Sequence, residues 1–141
     1  MSDRISRYML FSCGERRYAV DVDAVDEISE LHTEYPIPDS PRFLRGVVNI
    51  HGKLATVLDL SMYLGAGPVK NPRNLMLLKI PETGLALVVN QMERIIFEDE
   101  IICSEPGNAE FEKAILTLED GKVALLELNS LVDSIEKAVV S

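Results

Sequence analysis

The sequence predicts an all-β fold, mainly antiparallel with short helices, built as two small barrels that meet in a hydrophobic seam. Three observations carry this expectation. Apolar residues alternate with a period of two rather than 3.6. Strand-length apolar runs come in pairs, four times over, and each pair flanks a turn that contains glycine. The order of elements then repeats at an offset of 67 to 69 residues.

The first pair is Tyr8 to Phe11 and Arg17 to Val22, around Gly14. The second is Val47 to Ile50 and Leu54 to Leu60, around His51-Gly52. The third is Leu75 to Ile80 and Leu85 to Val89, around Glu82-Thr83-Gly84, and the fourth is Ala114 to Leu118 and Val123 to Leu128, around Asp120-Gly121. Tight hairpin turns demand positive φ, which glycine supplies without steric cost. Short helical turns punctuate the strands. Asp23 to Ile28 reads as one, carrying Ala24, Val25 and Ile28. Ser61 is placed to cap another with Met62, Tyr63 and Leu64. Asn129 or Ser130 caps a last helix over 129–140, with Leu131, Val132, Ile135 and Val139 as its apolar stripe. Pro36, Pro38 and Pro41 stiffen the path into the second hairpin, and Gly65-Ala66-Gly67-Pro68 is a loop between the halves.

Ala19 to Ile28 lies on Ala86 to Ile95 at an offset of 67, Leu58-Asp59-Leu60 on Leu126-Glu127-Leu128 at 68, and Gly52-Lys53 on Gly121-Lys122 at 69. Two copies of one unit follow. A unit of under about 70 residues makes a small core, so closing its sheet and packing it against its twin covers what one copy leaves exposed. The expected organisation is one domain over 6–136, with intertwined subdomains at approximately 15–70 and 71–130.

Composition narrows the function. The 141 residues carry a net charge of −9, with 47% apolar and 26% charged. The 14 basic residues are scattered and outnumbered, which argues against nucleic acid. Four Tyr, four Phe and no Trp make a poor base-stacking platform. No apolar run approaches the roughly 18 residues of a membrane helix, and Met1-Ser2-Asp3-Arg4 lacks the apolar region of a secretion signal. A cytoplasmic protein with Cys13 and Cys103 as buried free thiols is expected. His32 and His51 have no neighbours at metal-ligand spacing. Nucleophile-elbow, phosphate-loop and dinucleotide motifs are missing from the sequence. Asp21, Asp23 and Asp26 lack the glycine and terminal glutamate of a calcium loop, and Glu98-Asp99-Glu100 reads as a solvated turn. No catalytic, cofactor-binding or metal-binding residue is therefore assigned. The competing class, a small β-barrel enzyme or ligand-binding protein, would need a closed pocket with converging polar groups.

The segments Tyr18-Ala19-Val20-Asp21-Val22 and Val25-Asp26-Glu27-Ile28 resemble the start of the CheW-like chemotaxis coupling domain. The stretch from Ile37 through Gly46-Val47-Val48-Asn49-Ile50 to His51-Gly52-Lys53 and Leu58-Asp59-Leu60 is similar to that family's most specific motif. The resemblance spans roughly 6 to 136. It implies two SH3-like five-stranded barrels and a non-catalytic adaptor. Such an adaptor joins the helical-hairpin tips of chemoreceptors to a histidine kinase whose regulatory domain shares the fold. By position, Val25, Glu27, Ile28, Ile50 and His51 match the receptor-groove residues, the repeat adds Met92, and Gly46 and Gly52 match structural turn glycines. His51 stands where the family has arginine, so a permanent forked donor is missing there. Thr56 replaces a common proline, and Gln91 and Ala114 replace common glycines. These departures imply a divergent adaptor of a non-flagellar pathway, twitching or another; a separate reading keeps the fold but makes the chain a competitor that occupies adaptor positions without activating the kinase.

Overall fold

The computed structural model describes residues 6–80 and 84–140; Glu82 and Thr83 of the third predicted turn, and Met1 to Arg4, lie outside them. Along the chain run β1 (Arg7–Cys13), β2 (Arg16–Asp21), a 3-10 turn (Val22–Ala24), β3 (Val25–Glu30), β4 (Leu44–Ile50), β5 (Lys53–Leu58) and α1 (Leu60–Tyr63). The same order follows again: β6 (Asn74–Leu78), β7 (Leu85–Val89), β8 (Gln91–Phe97), a 3-10 turn (Glu98–Glu100), β9 (Cys103–Pro106), β10 (Glu112–Leu118), β11 (Gly121–Leu126) and α2 (Leu128–Val140). All four predicted hairpins pair antiparallel.

The strands form two sheets, ordered β8-β1-β2-β11-β10-β9 and β3-β6-β7-β5-β4. Each sheet draws on both copies. The β1–β2 hairpin joins the later strands where β2 runs parallel to β11, with Tyr18 opposite Ala124. The β6–β7 hairpin joins the earlier strands where β7 runs parallel to β5, with Ala86 opposite Val57. Both sheets curl. In the five-stranded one, the segment after β3 reaches back to β4, where Tyr35 and Val47 exchange two backbone hydrogen bonds of 2.9 Å. In the other, the equivalent connection pairs over four residues, Cys103 to Pro106, as β9, so this sheet has six strands rather than the five expected.

The copies correspond in detail. Asp59 N–H donates to the Phe43 carbonyl at 2.8 Å, and Glu127 N–H to the Phe111 carbonyl at 2.8 Å. β3 is bulged between Val25 and Glu27 against β6, and β8 is bulged at the equivalent place against β1. The third sequence anchor needs correcting. Ile50 pairs with Lys53 and Leu118 with Gly121, so the turn His51-Gly52 corresponds to Glu119-Asp120, and Gly52 and Gly121 are not equivalent.

Several local expectations also change. Of the stretch 23–28 only Asp23 and Ala24 are helical, in the 3-10 turn Val22–Ala24; Val25 to Glu30 is strand, because its backbone pairs with β6. Asp59, not Ser61, caps α1, accepting from the Met62 N–H at 3.0 Å, while Ser61 lies buried inside the turn. Glu127, not Asn129 or Ser130, holds the start of α2, accepting from the Ser130 N–H at 2.6 Å. Gly46 is not a turn residue: it sits within β4 at a bulge, with φ 155°, where a Cβ would lie 2.7 Å from the Tyr35 carbonyl oxygen. Cys13 is buried as expected, but Cys103 lies exposed on β9.

One apolar cluster, Leu10, Ala19, Ile96, Leu116, Leu118, Val123 and Leu125, fills the inside of the six-stranded sheet. A larger one combines the inside of the five-stranded sheet with the seam. Phe11, Tyr18 and Val20 from the other face of β1 and β2 join it, with Leu131 and Ile135 of α2. Tyr63 sits between the copies, 4.7 Å from the Phe43 ring and 6.1 Å from the Phe111 ring.

Candidate functional site

Side-chain alternation decides which residues border the seam. On β1, Leu10 points into the six-stranded barrel while Met9 and Phe11 face the seam cluster. Cross-strand partners share a face. Met92 is opposite Phe11 and Ile95 opposite Met9, so the outer face of β8 continues the seam outward. On β3, Val25 is opposite Leu78 and Ile28 opposite Met76, both of the same cluster. Val25 and Met92 are each half-buried against that cluster. Ile28 and Ile95 stand at equivalent positions beyond them, 39% and 42% exposed.

The hairpin tip between β4 and β5 closes over β3. His51 adopts φ 51° and Gly52 φ 86°, the pair of positive values a two-residue hairpin turn of this kind needs. The Gly52 N–H donates to Asn49 Oδ1 at 2.8 Å. From this tip, His51 Nδ1 lies 2.8 Å from Glu27 Oε2, so Nδ1–H is the donor to the carboxylate. Lys53 Nζ donates to Asp26 Oδ2 at 3.0 Å. The His32 ring meets His51 edge-on at 6.4 Å, and its Nδ1–H donates to the Glu30 carbonyl at 2.8 Å.

Of the residues assigned from sequence, Val25, Glu27, Ile28 and His51 come together on β3 and the tip, and Met92 joins Val25 on the seam cluster. Ile50 does not belong to the surface. Its side chain is fully buried, because it precedes the turn on the inward face of β4, and its role is to anchor the tip. Ile95 and Phe97 are not among the residues assigned from sequence, yet they extend the same surface: Phe97 is 45% exposed and follows Ile95 on the same face of β8. The offset of 67 that lays Ile28 on Ile95 carried the signal.

The cavity of about 440 Å³ bounded by Cys13, Arg16, Tyr18, Ser61, Lys70 and Asn90 does not assemble a reactive group. Burial pushes the Cys13 thiol up to about 11, and burial pushes Tyr18 up to about 12, so both stay neutral and poorly nucleophilic near pH 7. Arg16 is engaged with the buried Glu112 carboxylate at 2.9 Å. Among the described residues, no group of three or more His, Cys, Asp or Glu converges as metal ligands, and no helix is long and apolar enough to cross a membrane.

Comparison with known proteins places this architecture. A family model described as the CheW-like domain matches residues 7–136. A probable chemotaxis protein CheW of Rhizobium etli is 26% identical over 134 residues, covering 89% of this chain and 86% of that protein. The chemotaxis protein CheW of Rhizobium meliloti is 26% identical over 135 residues, covering 90% and 87%. The crystal structure of the scaffolding protein TtCheW from Thermoanaerobacter tengcongensis superposes with a TM-score of 0.75 at 23% identity, covering 88% of this chain and 90% of that one. The fold of paired, interwoven β subdomains is thus that of a known scaffold, and the chain belongs to the CheW-like family of non-catalytic chemotaxis adaptors.

Proposed function

We propose that this chain couples the cytoplasmic helical-hairpin tip of a chemoreceptor to a histidine kinase, and that it works in the cytoplasm, recruited to membrane-associated receptor arrays. The receptor helix lies along the seam, between the Val25–Ile28 face of β3 and the Met92–Ile95 face of β8. The kinase is engaged through its regulatory domain of the same fold, barrel against barrel. Signal passes by geometry and mass action rather than by turnover.

The observation that supports this reading is the pair of matching apolar edges beside one cluster. Helix recognition in a groove uses apolar anchors with a polar rim. Val25 and Met92 offer half-buried anchors, Ile28 and Ile95 exposed ones, and Glu27 held by His51 a fixed polar group at the rim. The residue substituted for the family's arginine is thus tied to β3 rather than projecting freely.

The test is the affinity of a receptor-tip helical hairpin for the intact chain and for an Ile28→Glu variant. Ile28 stands 39% exposed, so the fold tolerates the change. Binding is expected to weaken by about 10-fold or more, as for an interface anchor, with the thermal unfolding curve unchanged. Equal affinity for the two proteins would remove β3 from the docking face.

A further inference from the structure

The geometry points to a partner helix whose apolar stripe is flanked on both sides by lysine or arginine, seated against Ile95 and Phe97 of β8 as well as against β3. This rests on the docking reading above and names the chemistry of its occupant.

Acidic residues surround the apolar edge. Segments 21–34 and 91–100 hold ten of the chain's 23 acidic residues, and Arg94 is the one Lys or Arg within them. Cations from elsewhere offset some of that charge. Lys53 pairs with Asp26 at 3.0 Å, Arg45 with Glu34 at 3.0 Å, Arg17 with Glu93 at 2.8 Å and Arg7 with Asp23 at 3.9 Å. Arg94 takes Glu100 at 2.9 Å, and His51 takes Glu27. Among the described residues, these five Lys or Arg side chains each meet one carboxylate of the two segments, and both segments keep an acidic excess. Glu30 ends β3 and Glu98 and Asp99 follow β8, exposed and just beyond the apolar edge residues.

Ile95 and Phe97 form an apolar step of two exposed side chains on an edge strand. With acidic groups on its flanks, such a step favours a helix with complementary charge and rejects an acidic one, because like charges brought together at an interface are costly. Exposed charges are screened over a Debye length of about 8 to 10 Å at roughly 0.1 to 0.15 M salt, so the preference is sensitive to salt. Asymmetry adds orientation. Glu30 on β3 corresponds to Phe97 on β8, so the two flanks of a seated helix meet a carboxylate on one side and an aromatic ring on the other.

Two synthetic helical hairpins with the same Leu/Ile/Val stripe, one flanked by lysines and its twin by glutamates, are titrated calorimetrically into the intact chain. The lysine form is expected to bind about 10-fold or more tightly, and to lose about 10-fold between roughly 50 and 500 mM NaCl. Phe97→Ala is expected to weaken it about 5-fold or more, as loss of an aromatic anchor does, and Glu98→Gln with Asp99→Asn to flatten its salt dependence. Equal or tighter binding of the glutamate twin overturns the inference. If that binding is lost in Ile28→Glu, the docking face itself survives. If neither hairpin binds, both readings fail. If only Phe97→Ala is without effect, β8 is removed from the site.

Discussion

At equivalent places in the two copies, Asp59 and Glu127 hold the start of a helix, Phe43 and Phe111 accept the same backbone bond, and β3 and β8 carry the same bulge. At other equivalent places the copies part. Glu27 corresponds to Arg94, Glu30 to Phe97, and His51-Gly52 to Glu119-Asp120. The retained residues each join two or more elements, so replacing one disturbs backbone far from it in sequence. The divergent residues sit on edge strands and hairpin tips, where the fold asks little of side chains. That difference separates what builds a barrel from what the barrel presents.

The sharpest way to break this comparison is at the helix caps. Asp59 is 2% exposed and accepts two backbone hydrogen bonds, from Met62 at 3.0 Å and from Val69 at 2.9 Å. Glu127 is half-buried, and its side chain holds Ser130 N–H. Asp59→Ala leaves two donors without their acceptor and is expected to cost about 3 kcal/mol. Glu127→Ala leaves one near solvent and is expected to cost about 1 kcal/mol. Urea unfolding of the two variants checks this. Equal losses would mean that the caps are interchangeable and that the loop from Leu64 to Val69 adds nothing to the first copy.

The two cysteines give a second contrast. Cys13 faces the seam and donates weakly to the Val88 carbonyl at 3.5 Å, whereas Cys103 lies on the open edge strand. Burial favours the neutral thiol, raising the folded-state value to about 11 from 9.0. The stabilisation is therefore complete below pH 9 and fades as pH rises from 9 through 11, by roughly 3 kcal/mol in all. Tyr18, raised from 10.0 to about 12, extends the same loss upward. Cys13→Ala is expected to make the stability curve flatter between pH 9 and 11. At neutral pH a maleimide is expected to label Cys103 and spare Cys13 in the folded chain. A flat alkaline profile in the unmodified protein would contradict the burial argument.

Much of this fold was written in local chemistry. Alternation and turn residues were enough to locate the four hairpins, because each is closed by contacts a few residues apart. The repeat was legible in apolar runs such as Ala19 to Ile28 and Ala86 to Ile95. What escaped was set by distant pairing. Val25 to Glu30 has the spacing of a helical turn until β6 arrives to pair with it. β9 is short and exposed throughout, so nothing in its composition marks it as a strand, and only β10 makes it one. Intertwined subdomains are expected from sequence, but which hairpins the sheets exchange is not legible there. It follows from where parallel edges meet, Tyr18 on Ala124 and Ala86 on Val57. At the candidate site, position in the motif singles out β3 and the tip, but it cannot tell Ile50 from an exposed neighbour. The inward face of a strand is fixed by register, and register is a property of the pair.

The smallest expected effect concerns how each hairpin tip is held. In the five-stranded barrel, His51 and Lys53 reach separately to Glu27 and Asp26. In the six-stranded barrel, Arg17 takes Glu93 with two nitrogens, Nη2 at 2.8 Å and Nε at 3.2 Å, and also reaches Asp120 at the tip at 3.3 Å. A forked arginine contact is stronger than a single ring nitrogen on a carboxylate, and the Arg17 and Glu93 side chains are each 24% exposed against 74% for His51. Double-mutant cycles are expected to give about 1 kcal/mol for Arg17→Ala with Glu93→Gln, and about 0.3 kcal/mol for His51→Ala with Glu27→Gln. Thermal unfolding measures both. The weak coupling at His51 fits a contact that orients Glu27 at the rim without stabilising the barrel, so a partner can exchange that contact at little cost to the fold. A reversal of the two values would make His51 a structural clasp and return the Arg17 tip, rather than the β3 tip, to consideration as the adaptable one.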